Sequence, residues 1–418
     1  MTRRALPRLL FLWGLALGLA LAGAARAQDA TPVPTPTSLS APPIATAAPT
    51  PAPPPDGAIE RLTPLHVTPH SAYYALTYWS DGLRVTGFLG RPTSPGPHPA
   101  IIHNRGGYDG VGALTGIEIV PWVEAGYVAV ASQYRGNAGS EGREDFGGAD
   151  VHDVTALIPL LHSLPFVDGE RIGMFGGSRG GMMTFLALKA QALAGDDAIK
   201  AAVTVGAISD LTRWDRERGG TLAAELWRPL IGATPAEAPA LFAERSAIHW
   251  PELITVPLLL LHGLADRDVS PQQTRLLAEA LREAGAPVEA IFYSGGDHAL
   301  SAQHGGVPDA LAWFARYLGG DGVDRSFAAH EADIAAVSTW FMARGFFPCL
   351  CGIRHSTRRI GLSSERSNEA ISPGDISPSA RRTQPASWRS WRTSTPWHTS
   401  GSWANHCTLR WSIFSAPA

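Results

Sequence analysis

The run Gly176-Gly177-Ser178-Arg179-Gly180 fits G-x-S-x-G, the sharp turn that presents a nucleophilic serine between a strand and a helix. The strand-like run Arg171-Ile172-Gly173-Met174-Phe175 leads into it, and Gly181-Met182-Met183-Thr184-Phe185-Leu186 leads out, which is the context such a turn requires. A serine hydroxyl is a poor nucleophile at neutral pH and needs a base, with an acid to orient the base. After an elbow of this kind the acid and then the histidine follow in the chain. The four leucines 258–261, His262 and Gly263 are followed at once by Leu264-Ala265-Asp266, an acid just past a strand end, with Asp268 as its rival. The next apolar run, 290–293, ends in Ser294-Gly295-Gly296-Asp297-His298; His304, on the loop beyond, is the alternative histidine. Ser178 as nucleophile, Asp266 as acid and His298 as base would perform acyl transfer. His262, on the strand itself, reads as a packed histidine.

Acyl transfer also needs donors fixed where negative charge develops on the attacked carbonyl. The backbone N–H of Arg179, next after the nucleophile, is one candidate. The others are the amides of Gly106 and Gly107, in the loop Arg105-Gly106-Gly107-Tyr108 after an apolar strand. Among 14 histidines none shows H-E-x-x-H spacing, and Cys349-x-Cys351 with His355 lacks zinc-finger spacing. The expected chemistry therefore uses no metal and no organic cofactor. All three cysteines (Cys349, Cys351, Cys407) fall in the last seventy residues, so the catalytic region does not depend on disulfides.

These groups must be held by a scaffold whose periodicity is legible. Alternation over 72–79 and 83–90, joined at Ser80-Asp81-Gly82, predicts an antiparallel hairpin. Apolar strands follow at 100–104, 127–132, 171–175, 201–205, 257–262 and 288–293. Helical stretches are expected at 150–163, 180–191, 271–284 and 308–318, with a further one at 327–341. Short apolar strands alternating with helices predict a mostly parallel central sheet with helices on both faces, the α/β-hydrolase fold. A mostly helical insertion at about 210–250 carries Trp214, Trp227, Phe242 and Trp250, and reads equally as a cap over the site or as packing.

The ends are of a different kind. Arg3, Arg4 and Arg8, the apolar run 9–25 and Ala25-Arg26-Ala27 predict a signal peptide over 1–27, cleaved before Gln28 and directing export; an uncleaved anchor is the alternative. Residues 28–57, rich in Pro, Ala and Thr, read as an extended linker. The catalytic domain is expected over 58–320, an extra helix within 321–344, and an aperiodic tail over 345–418 rich in Arg, Ser, Pro and Trp. That tail reads as low in order, and as translation past the true end rather than a binding segment. A net charge of −3 gives no electrostatic reason to expect nucleic acid or an anionic membrane as partner. The partner expected is a small peptide or ester, with no membrane association once the signal is removed.

Taken together the motifs resemble the catalytic domain of the prolyl oligopeptidase family of serine peptidases, over about 73–318. The most specific parts are Gln133-Tyr134-Arg135-Gly136 with Gly139, Gly142, Arg143, Phe146, Ala149-Asp150-Val151 and Asp153-Val154, then 171–181, then His262-Gly263-Leu264-Ala265-Asp266. The resemblance implies a serine-type peptidase with Ser178, Asp266 and His298 in the nucleophile, acid and base positions. An exported carboxylesterase is the alternative on the same fold, and an inactive binding protein a third reading. Two departures stand out. Asn104-Arg105-Gly106-Gly107 replaces the family's His-Gly-Gly or tyrosine, and only a signal, a spacer and a hairpin precede the hydrolase. The resemblance therefore does not bring proline specificity with it.

Overall fold

The computed structural model describes residues 52–319 and 322–344. The expected signal peptide, residues 28–51 of the linker, the tail and all three cysteines lie outside them. Among the described residues nine strands form one sheet: β1 (Ile59–Val67), β2 (Ser71–Ser80), β3 (Leu83–Pro92), β4 (His98–Asn104), β5 (Val128–Ser132), β6 (Val167–Gly177), β7 (Ile199–Val205), β8 (Leu258–Gly263) and β9 (Val288–Tyr293). Their order is β1-β2-β3-β5-β4-β6-β7-β8-β9. The first three are antiparallel and join β5 antiparallel; every pairing from β5 to β9 is parallel. This is the mostly parallel sheet of the α/β-hydrolase fold.

The expected hairpin is β2–β3, and β1 extends it to three strands. Register shifts at 59–61 and 64–66 break the alternation of β1, so its period carries no clean strand signal. The α-helices among the described residues are α1 (Val120–Glu124), α2 (His152–Thr155), α3 (Leu157–His162), α4 (Arg179–Ala194), α5 (Leu211–Glu217), α6 (Pro239–Glu244), α7 (Pro271–Glu283), α8 (Val307–Leu318) and α9 (Phe327–Arg344). The single helix expected over 150–163 is divided into a 3-10 turn, α2 and α3. Pro159 has no N–H to bond the carbonyl of Thr155, so the ladder breaks there. Among the described residues no helix is long and apolar enough to cross a membrane.

Both faces of the sheet are covered, as the apolar strands demand. Ile102, Met174, Ala202, Leu258 and Leu260 enter one core with α4 and α7. Their chain neighbours Ile101, Phe175, Val203, Leu259 and Leu261 enter the other with α1 and α8. Each fully buried leucine or isoleucine contributes about 1.5–3 kcal/mol. The last helix, α9, adds Ile334, Val337 and Phe341 to the second core, and its Trp340 stacks on His66 at 4.0 Å between ring centroids. The chain leaves β4 for β5 on one side and returns to β6 on the other. That reversal opens a crevice at the carboxyl ends of β4 and β6, where sites in open parallel sheets form.

Candidate active site

Ser178 stands at that crevice, between β6 and α4, with φ 55° and ψ −122°. L-residues rarely take a positive φ, and such strain persists only where its surroundings fix it. Here the Ser178 amide donates to the carbonyl of Val205 at 2.8 Å, tying the elbow to the end of β7. The turn is also too tight for side chains: a Cβ on Gly176 would overlap the carbonyl of Gly180, and one on Gly180 the carbonyl of Asn104. Arg179 opens α4, so its N–H has no acceptor within the helix, nor any other among the described residues.

Asp266 and His298 meet beside this elbow. Oδ1 of Asp266 accepts the amides of Asp268 and Val269, each at 2.9 Å, and Oδ2 accepts Nδ1–H of His298 at 2.7 Å. Since an ionised carboxylate only accepts, the His298 proton sits on Nδ1 and Nε2 keeps its lone pair. Burial pushes the Asp266 carboxyl up, but hydrogen bonds from His262 and His298 and the His298 charge outweigh it, holding the group well below the usual carboxylate range. Burial pulls His298 down. Its bond to Asp266 and the negative charges of Asp266, Asp268 and Asp297 more than offset this, and the net shift is upward. Gly206, one residue past the carbonyl that holds Ser178, lies against the pair: a Cβ there would sit 3.2 Å from both Asp266 Oδ2 and His298 Nδ1. Among the described residues, Oγ of Ser178 makes no hydrogen bond; in unliganded enzymes such contacts are often long and tighten with substrate.

Of the two alternatives, Asp268 lies close to the pair, a carboxylate oxygen within 4.8 Å of Asp266 and His298, but makes no hydrogen bond to His298 among the described residues. The Asp268 carboxylate faces Arg218 at 3.5 Å, and His304 packs on Phe327, 4.9 Å between centroids.

The loop after β4 is held from behind by two buried arginines. Arg105 donates from Nε to the Gln133 carbonyl at 2.9 Å, and from Nη1 to the carbonyls of Gly106 at 3.0 Å and Val111 at 3.2 Å. Arg179 donates from Nη1 to the Gly107 carbonyl at 2.9 Å and to Glu144, and from Nη2 to Asp150. The C=O and N–H of a planar peptide unit point opposite ways, so pulling the Gly106 carbonyl back turns the Gly107 amide away from Arg105. Amides of Gly106 and Gly107 bond to nothing among the described residues, and a Cβ on Gly106 would lie 3.3 Å from Cβ of Ser178. Burial pushes Asp150 up, Arg179 offsets part of it, and the carboxyl is held at about 6.

The remaining family-like residues are scaffold. Tyr134, at φ 63°, has the guanidinium groups of Arg105 and Arg179 at 4.9 and 5.2 Å from its ring, and its hydroxyl donates to the Arg105 carbonyl. Arg135 pairs with Asp153 at 2.8 Å and Asp81 at 2.9 Å, tying the segment to the hairpin turn. In the insertion, Trp214, Trp227, Phe242 and Trp250 are buried in the first core, Trp214 stacking parallel to Phe146. Trp214 Nε1 also donates to the Asp268 carbonyl at 2.8 Å, so this segment packs as core and braces the acid loop together. Reasoning from sequence missed Glu144, whose only signal is its place inside the Arg143–Asp150 motif, and the contact of His262 with Asp266.

Residues 115–321 match the model of the prolyl oligopeptidase family. A similar protein is the "Uncharacterized peptidase YtmA" of Bacillus subtilis (strain 168), 37% identical over 225 residues, 54% of this chain and 85% of that one. The "Uncharacterized peptidase YuxL" of the same strain is 28% identical over 258 residues, 56% of this chain and 36% of its own length. The solved acylaminoacyl peptidase of Pyrococcus horikoshii matches with a TM-score of 0.49 and 23% identity, over 61% of this chain and 43% of that one. The chain thus spans most of the length of the first relative and well under half of the other two.

Proposed function

We propose that this chain, which belongs to the prolyl oligopeptidase family and is a serine hydrolase, cleaves short peptides through an acyl-enzyme formed on Ser178. The observation that carries the reading is the 2.7 Å Asp266–His298 bond beside the elbow that strains Ser178. His298 Nε2 takes the proton from Oγ as the oxygen attacks the carbonyl carbon, and Asp266 holds the imidazolium that forms. The amides of Arg179, Gly106 and Gly107 receive the oxyanion. His298 then protonates the leaving amine, and a water repeats the sequence on the acyl-enzyme. Family membership supports the peptide substrate. A peptidase should turn over dipeptidyl arylamides as well as short acyl esters. Turnover confined to esters would leave the hydrolase and remove the peptidase.

Gly206 offers a test of the pair that leaves all three triad residues in place. Gly206→Ala places a Cβ 3.2 Å from Asp266 Oδ2 and His298 Nδ1, at a backbone φ of 53° that alanine tolerates poorly. Displacing the pair by a few tenths of an ångström should lower kcat/KM on the order of 10–100-fold. The strain should cost about 1 kcal/mol of stability. Wild-type kcat/KM in a folded variant would show that the pair does not act on Ser178.

A further inference from the structure

His262 is wholly buried at the end of β8, with polar partners at both ring nitrogens. Nδ1 lies 2.7 Å from the hydroxyl of Thr274 on α7. Nε2 lies 3.0 Å from the carbonyl of Val269 and 3.1 Å from Oδ2 of Asp266, the second acceptor being the less well aligned. A carbonyl and a carboxylate can only accept, so Nε2 carries a proton, and Nδ1 meets the Thr274 hydroxyl. Oδ2 is the same oxygen that holds Nδ1 of His298. Both other contacts of His262 are to the loop and helix that carry the acid.

We infer that His262 is a positioning residue of the triad: its Nε2–H, shared between the Val269 carbonyl and Asp266 Oδ2, fixes the acid and limits its pull on His298. The inference rests on the triad reading above. His298 is faced by Asp266 and Asp268 from the loop after β8 and by Asp297 on its own loop; Arg218, at the end of α5, partly neutralises Asp268. Within that set His262 supplies the hydrogen bond that competes with the imidazolium for Oδ2. Without it the carboxylate is more basic, stabilises protonated His298 further, and raises the pH at which the base becomes free. Only neutral His298 can accept the Ser178 proton, so the acid limb of reactivity should move to higher pH.

The probe is the second-order rate of fluorophosphonate modification against pH, for wild type, His262→Asn and His262→Gln. The Asn amide keeps the Thr274 contact but stops short of Oδ2; the Gln amide nitrogen reaches the position of Nε2. In His262→Asn the acid limb should rise by about 0.5–1 pH unit, a fraction of what a charge-assisted hydrogen bond to a carboxylate is worth. In His262→Gln it should return to the wild-type limb. A role in packing alone would lower stability without moving the limb. An unmoved limb in His262→Asn, or the same rise in both variants, overturns the inference. Wild type that is never modified at Ser178 overturns the triad reading instead. Should the Asn variant not fold, nitrogen NMR of histidine-labelled wild type decides. His262 must carry a proton on Nε2, and an Nε2 without one overturns the assignment.

Discussion

Ser178→Ala is expected to lower kcat/KM by roughly four to six orders of magnitude, because the members of a triad act as one unit and the loss of the nucleophile stops both halves of the reaction. The residue left in place keeps the Cβ, the φ of 55° and the amide bond to Val205, so the elbow should retain its shape. Nothing else should suffer: among the described residues the Ser178 hydroxyl has no hydrogen-bond partner to strand. The melting temperature should therefore stay at the wild-type value while fluorophosphonate labelling disappears. Kinetics on an acyl ester beside a thermal melt checks both halves. Activity within tenfold of wild type, with the label on another residue, would move the nucleophile elsewhere.

The elbow could be read before folding because its demands are local. Two flanking glycines that no larger residue can replace, an apolar strand before and a helix after, all lie within fifteen residues of sequence. The acid and histidine were legible only as positions past strand ends. Asp266 and Asp268 share one loop, and what separates them is tertiary: His298 approaches Oδ2 of the first, while Trp214 and Arg218 from the insertion engage the second. The same limit explains β1, whose bulges break its period, and the divided helix at 149–162, where Pro159 outweighs an otherwise helical pattern. Glu144 was invisible for a further reason. A glutamate in a loop reads as solvated, and only the arrival of Arg105 and Arg179 from two other segments makes its burial tolerable.

The buried network that Glu144 completes carries the largest expected effect on stability. Arg179→Met keeps an unbranched apolar stem, the helix and the backbone amide, but removes a group bonded to both Glu144 and Asp150. Breaking a buried ion pair by deleting one partner costs about 3–5 kcal/mol, because the other charge stays in the interior. The sign of the pH dependence follows. Asp150, at about 6 even with Arg179 beside it, must climb further without it. The native state then holds a proton that the unfolded chain, with an ordinary carboxyl, has released. Stability contributed in this way is full below the unfolded value near 4 and lost as pH rises through the folded one. In wild type Arg179 holds Glu144 below its ordinary range, a contribution present at neutral pH that the variant also loses. The deficit should accordingly be largest at pH 8 and shrink toward pH 5. Urea unfolding at both values measures it; a deficit under about 1 kcal/mol, or one independent of pH, would mean that the carboxylates find other partners. Adding Asp150→Asn should recover part of the stability at pH 8, since no charge then needs burying at position 150. It should not recover activity, because the Gly107 carbonyl has lost the donor that holds its loop against Ser178.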